Sequence, residues 1–219
     1  MSTSESASAR FLVVLDVDST LIHDEVIELL AEHAGTGELV ADITQRAMRG
    51  ELDFEQSLRE RVATLSGLHE SIFGQVAERI RVTDGVPQLV AAVHEAGGLV
   101  GVVSGGFHEL VDGLALRLHL DLWRANRLGA VDGILSGGVD GPVIDAAAKE
   151  HALREWAADA GVPLTRTVAI GDGANDLRMM HAAGLSVAFC AKPAVRAAAD
   201  LAIETRDLSQ VLPLLGLRG

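Results

Sequence analysis

Five short stretches of this chain are apolar almost without interruption, and segments of helical periodicity separate them. The stretches are Phe11–Leu15, Leu99–Val103, Thr167–Ile170, Ser186–Cys190 and Leu201–Ile203. Continuous rather than alternating apolarity marks strands covered on both faces, the condition of a parallel sheet. The helical segments fall at 87–96, 108–118, 147–160, 175–183, 194–199 and 208–215. Pro87 opens the first of these and Gly97-Gly98 closes it, while Gly161 and Gly184 end two others. Strand–helix alternation of this kind predicts an α/β fold, a doubly wound parallel sheet with right-handed crossovers. With 219 residues, 48% of them hydrophobic, the chain is long enough for one sizeable core or a core with a small second domain.

Two regions break the alternation. Residues 23–83 hold no convincing strand and read as helices over 25–33, 38–49, 54–65 and 70–80, with 12 acids against 6 bases. They are expected to form a small solvated helical cap inserted directly after the first strand, over that strand's carboxyl end. The division is then a tail at 1–10, an α/β core at 11–22 and 84–219, and a cap at 23–83. The second break is the glycine-rich stretch 128–143, read as one or two hairpins flanking the sheet.

Charge and composition narrow the partners. Eighteen basic against 31 acidic residues give a net charge of −13, and aromatics are 3% with no tyrosine. Neither a basic face for phosphate backbones nor a stacking platform for single strands is expected, so no nucleic acid is. No apolar run approaches the roughly 18–20 residues that span a bilayer, so no membrane is expected either. The first ten residues, rich in serine, read as a frayed tail rather than a signal peptide. A single cysteine, Cys190, excludes an internal disulfide and reads as an inert buried thiol in an apolar strand. No two of the eight histidines have metal-ligand spacing, and they read as surface or core. A cytoplasmic setting, a small-molecule substrate and a monomer or homodimer are the expectations.

The chemistry lies where the apolar runs stop. Asp16-Val-Asp18-Ser-Thr20 follows the first strand, and Gly171-Asp172-Gly-Ala-Asn175-Asp176 follows the third. Any single aspartate after a strand is more often a helix cap or a turn starter. Two such clusters on adjacent parallel strands would meet at one sheet edge, where ligands bind in such folds. Clustered carboxylates need a cation or a proton, and hard oxygen ligands suit Mg²⁺. Between them in sequence, Ser104-Gly105-Gly106 follows the second strand and is expected to form a turn that exposes N–H groups and a hydroxyl to an anion. The chain has only two lysines, Lys149 and Lys192. Lys149 could set a compact ammonium beside a phosphate, though on composition alone it is equally a solvated helix residue. Lys192, before Pro193, reads as loop or helix start.

Together these residues resemble the haloacid dehalogenase superfamily of phosphotransferases, over nearly everything from Phe11 to Leu215. Asp16–Thr20 matches that family's first motif, Ser104–Phe107 its second, Lys149 the lysine of its third and Gly171–Asp176 its fourth. The segments Ala47-Met48, Leu52–Arg61, Ala125–Leu128 and Phe189–Pro193 are similar to its phosphoserine phosphatase branch. Glu150 departs from the glycine expected after the lysine. The resemblance implies a Mg²⁺-dependent phosphomonoesterase that hydrolyses O-phosphoserine through an aspartyl-phosphate. A phosphotransferase passing the group to another amino-acid hydroxyl, and a non-catalytic phospho-amino-acid sensor, are the competing readings.

The resemblance also assigns roles. Asp16 is the nucleophile, and Asp18 is the acid and then the base. Asp16, the Asp18 carbonyl and Asp172 are the metal ligands. Ser104, Gly105, Lys149 and Asn175 hold phosphate, and Asp176 orients Lys149. Glu25 faces a substrate ammonium and Arg61 a carboxylate, with Met48 and Phe54 lining the cap side. Read without the resemblance, Glu25 is more often a first-turn helix acid, Arg61 a solvated or helix-paired base, and Met48 and Phe54 ordinary core.

Overall fold

A computed structural model describes residues 9–218. Seven strands form one sheet: β1 (Leu12–Leu15), β2 (Leu99–Phe107), β3 (Leu122–Val131), β4 (Ile134–Asp140), β5 (Thr167–Gly171), β6 (Leu185–Phe189) and β7 (Leu201–Ile203). Their order is β4-β3-β2-β1-β5-β6-β7, parallel throughout except for β4 against β3. This is the expected doubly wound α/β sheet, with β1 at its centre.

The apolar runs are explained by what covers them. Along β1, Val13 and Leu15 join one core, and Leu12 and Val14 join another on the opposite face. All four are at most 1% exposed. The first core is closed by α5 (Val86–Glu95) and α6 (His108–Leu118), through Leu89, Val93, Leu110 and Leu114. The second is closed by α7 (Ala146–Asp159), α8 (Leu177–Ala182) and α9 (Pro193–Ala198), through Leu153, Trp156, Met179, Met180 and Val195. Each fully buried valine or leucine stabilises the sheet by roughly 1.5–3 kcal/mol. Gly101 lets Trp156 lie against β2, since a Cβ there would stand 3.0 Å from the indole.

Between β1 and α5 the chain forms four helices, α1 (Val26–Ala34), α2 (Gly37–Met48), α3 (Phe54–Ala63) and α4 (Ile72–Arg79). The two crossings of this insert are tied together. His23 N–H donates to the Arg81 carbonyl at 2.9 Å, and Thr83 N–H to that of Leu21 at 2.9 Å. The Asp24 carboxylate accepts from the Arg81 backbone and guanidinium at 2.7–3.2 Å. The insert also rests on the β3–β4 hairpin, where Gly67 and Leu68 exchange backbone hydrogen bonds with Leu135.

Four local expectations are corrected. The 128–143 stretch is not a separate flank: β3 starts at Leu122, pairs with β2 and only then turns into β4. Ser104-Gly105-Gly106 is no turn but the bulged end of β2. Cys190 lies just past β6 with φ +47°, half-buried, its thiol 3.5 Å from the Glu204 carbonyl, so it is neither in the strand nor sealed in the core. Arg10 belongs to the fold rather than to a tail, because it bonds the Gly97 and Ala96 carbonyls; residues 1–8 lie outside the described ones. Among the described residues no helix is long and apolar enough to cross a membrane.

Candidate active site

Three adjacent strands deliver the chemistry to one edge. Leu15 on β1 stands level with Val102 on β2 and Ile170 on β5, so Asp16, the 104–106 end of β2 and the residues after Ile170 reach the same edge. Asp16 N–H donates to the Ile170 carbonyl at 2.9 Å, which carries the parallel pairing one step beyond β1. The chain then turns irregularly through 17–21, with Asp18 extended and Ser19 left-handed at φ +56°. That turn brings the Asp18 carboxylate back to accept from Val26 N–H at 3.0 Å, capping α1. Ser19 donates its hydroxyl to Glu25 at 2.7 Å, fixing that carboxylate at the start of the insert.

Lys149 is fully buried in the first turn of α7, which Asp145 caps through Ala148 N–H at 2.8 Å. Its ammonium lies 2.6 Å from Asp16 Oδ1 and 2.8 Å from Asp176 Oδ1. The other Asp176 oxygen accepts from Gly173 N–H at 3.0 Å, so Asp176 is fully engaged in orienting the lysine and its own loop. Gly171 leaves room for this, as a Cβ there would fall 2.5 Å from the Asp176 carboxyl. Glu150 needs no glycine conformation, lies mid-helix and bridges Arg154 and Arg178.

The site carries more negative charge than its cations match. Burial and the neighbouring Asp176 push the Asp16 carboxyl well above the usual carboxylate range, against the pull of Lys149. Burial and Glu25 raise Asp18 to about 7, and burial, Asp176 and Glu25 raise Asp172 to about 6. Burial works against the Lys149 ammonium, but Asp16 and Asp176 outweigh it and raise its pKa. Ligand oxygens of Asp16, Asp172 and Asp176 lie within 4.8 Å of one another. An all-oxygen set with surplus charge fits a hard divalent cation. Since both oxygens of Asp176 are already hydrogen-bonded, Asp16 and Asp172 are the freer donors.

Above this floor lies a cavity of about 640 Å³, in the range of small-molecule sites. Asp16, Asp18, Gly105, Asp172 and Asn175 line it from the sheet, and Glu25, Met48, Phe54 and Arg61 from the insert. Ser104 and Lys149 are wholly buried just beneath. Phe54 reaches the sheet, where a Cβ on Gly105 would lie 3.1 Å from its ring. Arg61 is not within ion-pair distance of any described acid; its guanidinium donates to the Ser57 carbonyl at 3.2 Å. Burial lowers its pKa, while the fields of Glu25, Asp18 and Glu28 oppose that shift. Met48 is 71% exposed at the rim, so it is not core. Lys192 and Ser57 are among the further lining residues to which the sequence alone gives no role. Lys192, at the start of α9, lies on the Asp172 side, and its rarity as a lysine was the available signal. Ser57 is buried, with a hydroxyl that has no partner among the described residues; its stretch Leu52–Arg61 carried the resemblance, but nothing singled out the serine.

The family match for haloacid dehalogenase-like hydrolase covers residues 13–181. A phosphoserine phosphatase of Streptococcus thermophilus is 52% identical over 95% of this chain and 97% of its own length. The chain belongs to the phosphoserine phosphatases of that family. Another phosphoserine phosphatase, from Streptomyces coelicolor, is 56% identical over 95% of this chain, which spans about half (51%) of that longer protein. A solved phosphoserine phosphatase described as a phospho-aspartyl intermediate analogue superposes with a TM-score of 0.88 at 43% identity, covering 94% of this chain and 99% of its own. A substrate-bound phosphoserine phosphatase complex gives the same TM-score and identity, over 94% and 98%.

Proposed function

We propose that this phosphoserine phosphatase chain hydrolyses O-phosphoserine to serine and phosphate, with Mg²⁺ as its metal and Asp16 as nucleophile. The observation that carries the reading is the buried Lys149 ammonium between Asp16 and Asp176, under a cavity whose far wall holds Glu25 and Arg61. Those two side chains match the ammonium and the carboxylate of a free amino acid.

Lys149 holds Asp16 Oδ1, which leaves Oδ2 to attack phosphorus. The phosphorus–oxygen bond to serine breaks as that to Asp16 forms. Asp18, raised to about 7, carries a proton in a large fraction of molecules near neutrality and gives it to the departing serine oxygen. As a carboxylate, Asp18 then takes a proton from water, which attacks phosphorus and frees Asp16 and phosphate. Asp16, the Asp18 carbonyl and Asp172 would hold Mg²⁺, which when bound would supply positive charge beside the phosphoryl oxygens. Ser104, Gly105 and Asn175 position those oxygens, and Asp176 keeps Lys149 in place. Residues 23–83 act as a cap over the core formed by 11–22 and 84–219, with Met48 and Phe54 walling the substrate from water.

The test is phosphate release from a panel of phosphoserine, phosphothreonine, phosphoethanolamine and a phosphopeptide, with Mg²⁺ and with chelator. Phosphoserine is expected to give the highest kcat/KM, and chelator to abolish turnover. A preference for phosphoethanolamine would remove Arg61 from its role. With homoserine added, phosphohomoserine formed faster than free phosphate would make the chain a phosphotransferase instead.

A further inference from the structure

The Ala125–Leu128 segment has no part in the chemistry described so far, yet Asn126 is only 1% exposed and lies opposite the phosphate-holding strand end. The pairing of β2 with β3 slips there. Val103 stands against Arg124, and the next paired residues are Phe107 and Asn126, so four steps on β2 match two on β3. Ser104, Gly105 and Gly106 lie there against Ala125 alone, two residues more than the partner strand supplies, and a bulge of this kind strips backbone groups of their ladder partners.

Asn126 restores the lost partner with its side chain. Its Nδ2 donates to the Gly105 carbonyl at 2.8 Å, and its Oδ1 accepts from Ile144 N–H at 2.8 Å. One partner accepts and the other donates, so the amide has only one workable orientation. The Gly105–Gly106 peptide held this way directs its opposite edge, Gly106 N–H, to Ser104 Oγ at 2.8 Å. With Oγ accepting there, the Ser104 hydroxyl makes no donated hydrogen bond among the described residues. Ile144 directly precedes Asp145, the cap of the helix that carries Lys149.

We propose that Asn126 is a positioning residue for the phosphoryl group. Through one buried amide it locks the Gly105–Gly106 peptide, and so the Ser104 hydroxyl, in register with the helix start that delivers Lys149. The proposal rests on the phosphatase reading, and wild-type turnover of phosphoserine tests that reading separately.

Asn126→Asp keeps the acceptor but sets an oxygen against the Gly105 carbonyl, and Asn126→Ala leaves both backbone groups unpaired. Each is expected to lower kcat by roughly 10–100-fold, the scale of a displaced reacting group. Each should also raise the inhibition constant of inorganic phosphate about tenfold and leave that of L-serine, read by Glu25 and Arg61, within about twofold. Ser186→Ala is the control. It removes a half-buried hydrogen bond to the exposed Asp200 at the far end of β6 and should change neither constant. Unchanged phosphate inhibition, or an equal loss of phosphate and serine inhibition, would overturn the proposal and leave Asn126 a structural residue. A measurement on the wild-type protein covers variants that fail to fold. In Mg²⁺ buffer, titrated inorganic phosphate should shift the NMR signals of the Asn126 side-chain amide, and signals that stay fixed while those of Gly105 or Gly106 move would overturn it too.

Discussion

Removing Asp16 tests chemistry alone, whereas removing Lys149 tests chemistry and folding together. Asp16→Asn keeps the size of the side chain and can still accept from Lys149, but an amide does not attack phosphorus. Phosphate release should fall by at least about 10³-fold with an unchanged circular-dichroism spectrum, and retained turnover would take the nucleophile's role from Asp16. Lys149→Met keeps the volume but leaves Asp16 and Asp176 buried without their cation. That change should cost about 3–5 kcal/mol in urea unfolding as well as abolish turnover, because breaking a buried pair strands its charges. Gly106→Ala is a subtler probe. A Cβ there would stand 3.0 Å from Ser104 Oγ and 3.2 Å from Asp18 Oδ2. On the proposed roles, crowding Ser104 Oγ and the Asp18 carboxyl together should lower kcat roughly 10–100-fold with little loss of stability.

At the scale of elements, α3 links the order of the insert to substrate choice. Asp53 and Gln56 cap it reciprocally, at 2.8 and 3.1 Å, and the helix then presents Phe54 and Arg61 to the cavity. Asp53→Ala should destabilise by about 1 kcal/mol and raise KM for phosphoserine, since the helix that aligns Arg61 frays at its start. Arg61→Ala should weaken phosphoserine use far more than use of an aryl phosphate that lacks a carboxylate, and equal losses on both would exclude that reading. The central strands were legible because burial on both faces demands uninterrupted apolar runs, as in Leu12–Leu15. The four helices of the insert were legible from their period, and the first three also from Gly35, Gly50 and Gly67 after them. The first half of β3 was not, because Arg124, Asn126 and Arg127 interrupt the apolar pattern. Asn126 sits there to answer a bulge in a neighbouring strand, a long-range requirement that no local pattern encodes. Cys190 misled for a related reason: the apolar run continues one residue past the point where the backbone turns left-handed.

For the whole molecule, the net charge of −13 and the carboxylates gathered at one sheet edge make stability depend on pH and metal together. Asp18 and Asp172 have folded-state pKa values of about 7 and about 6, raised chiefly by burial, against an ordinary value of 3.8. A raised carboxylate pKa means that the folded state binds more protons than the unfolded one between those values. Stability is therefore highest below the ordinary value of 3.8, falls as pH rises from there through the folded pKa, and levels off above it. The depressed carboxylates, such as Asp24 beside Arg81, titrate below this window, and Lys149 titrates above it. In chelator, the chain should accordingly melt at a higher temperature at pH 5.5 than at pH 8, the reverse of an acid-sensitive fold. Millimolar MgCl₂ should raise Tm strongly at pH 8, where the carboxylates are ionised and able to bind, and little at pH 5.5, where protons compete. Differential scanning fluorimetry over both variables measures this directly. A Tm that rises with pH in chelator, or a Mg²⁺ response equal at both pH values, would mean that these acids are not the cluster a cation neutralises.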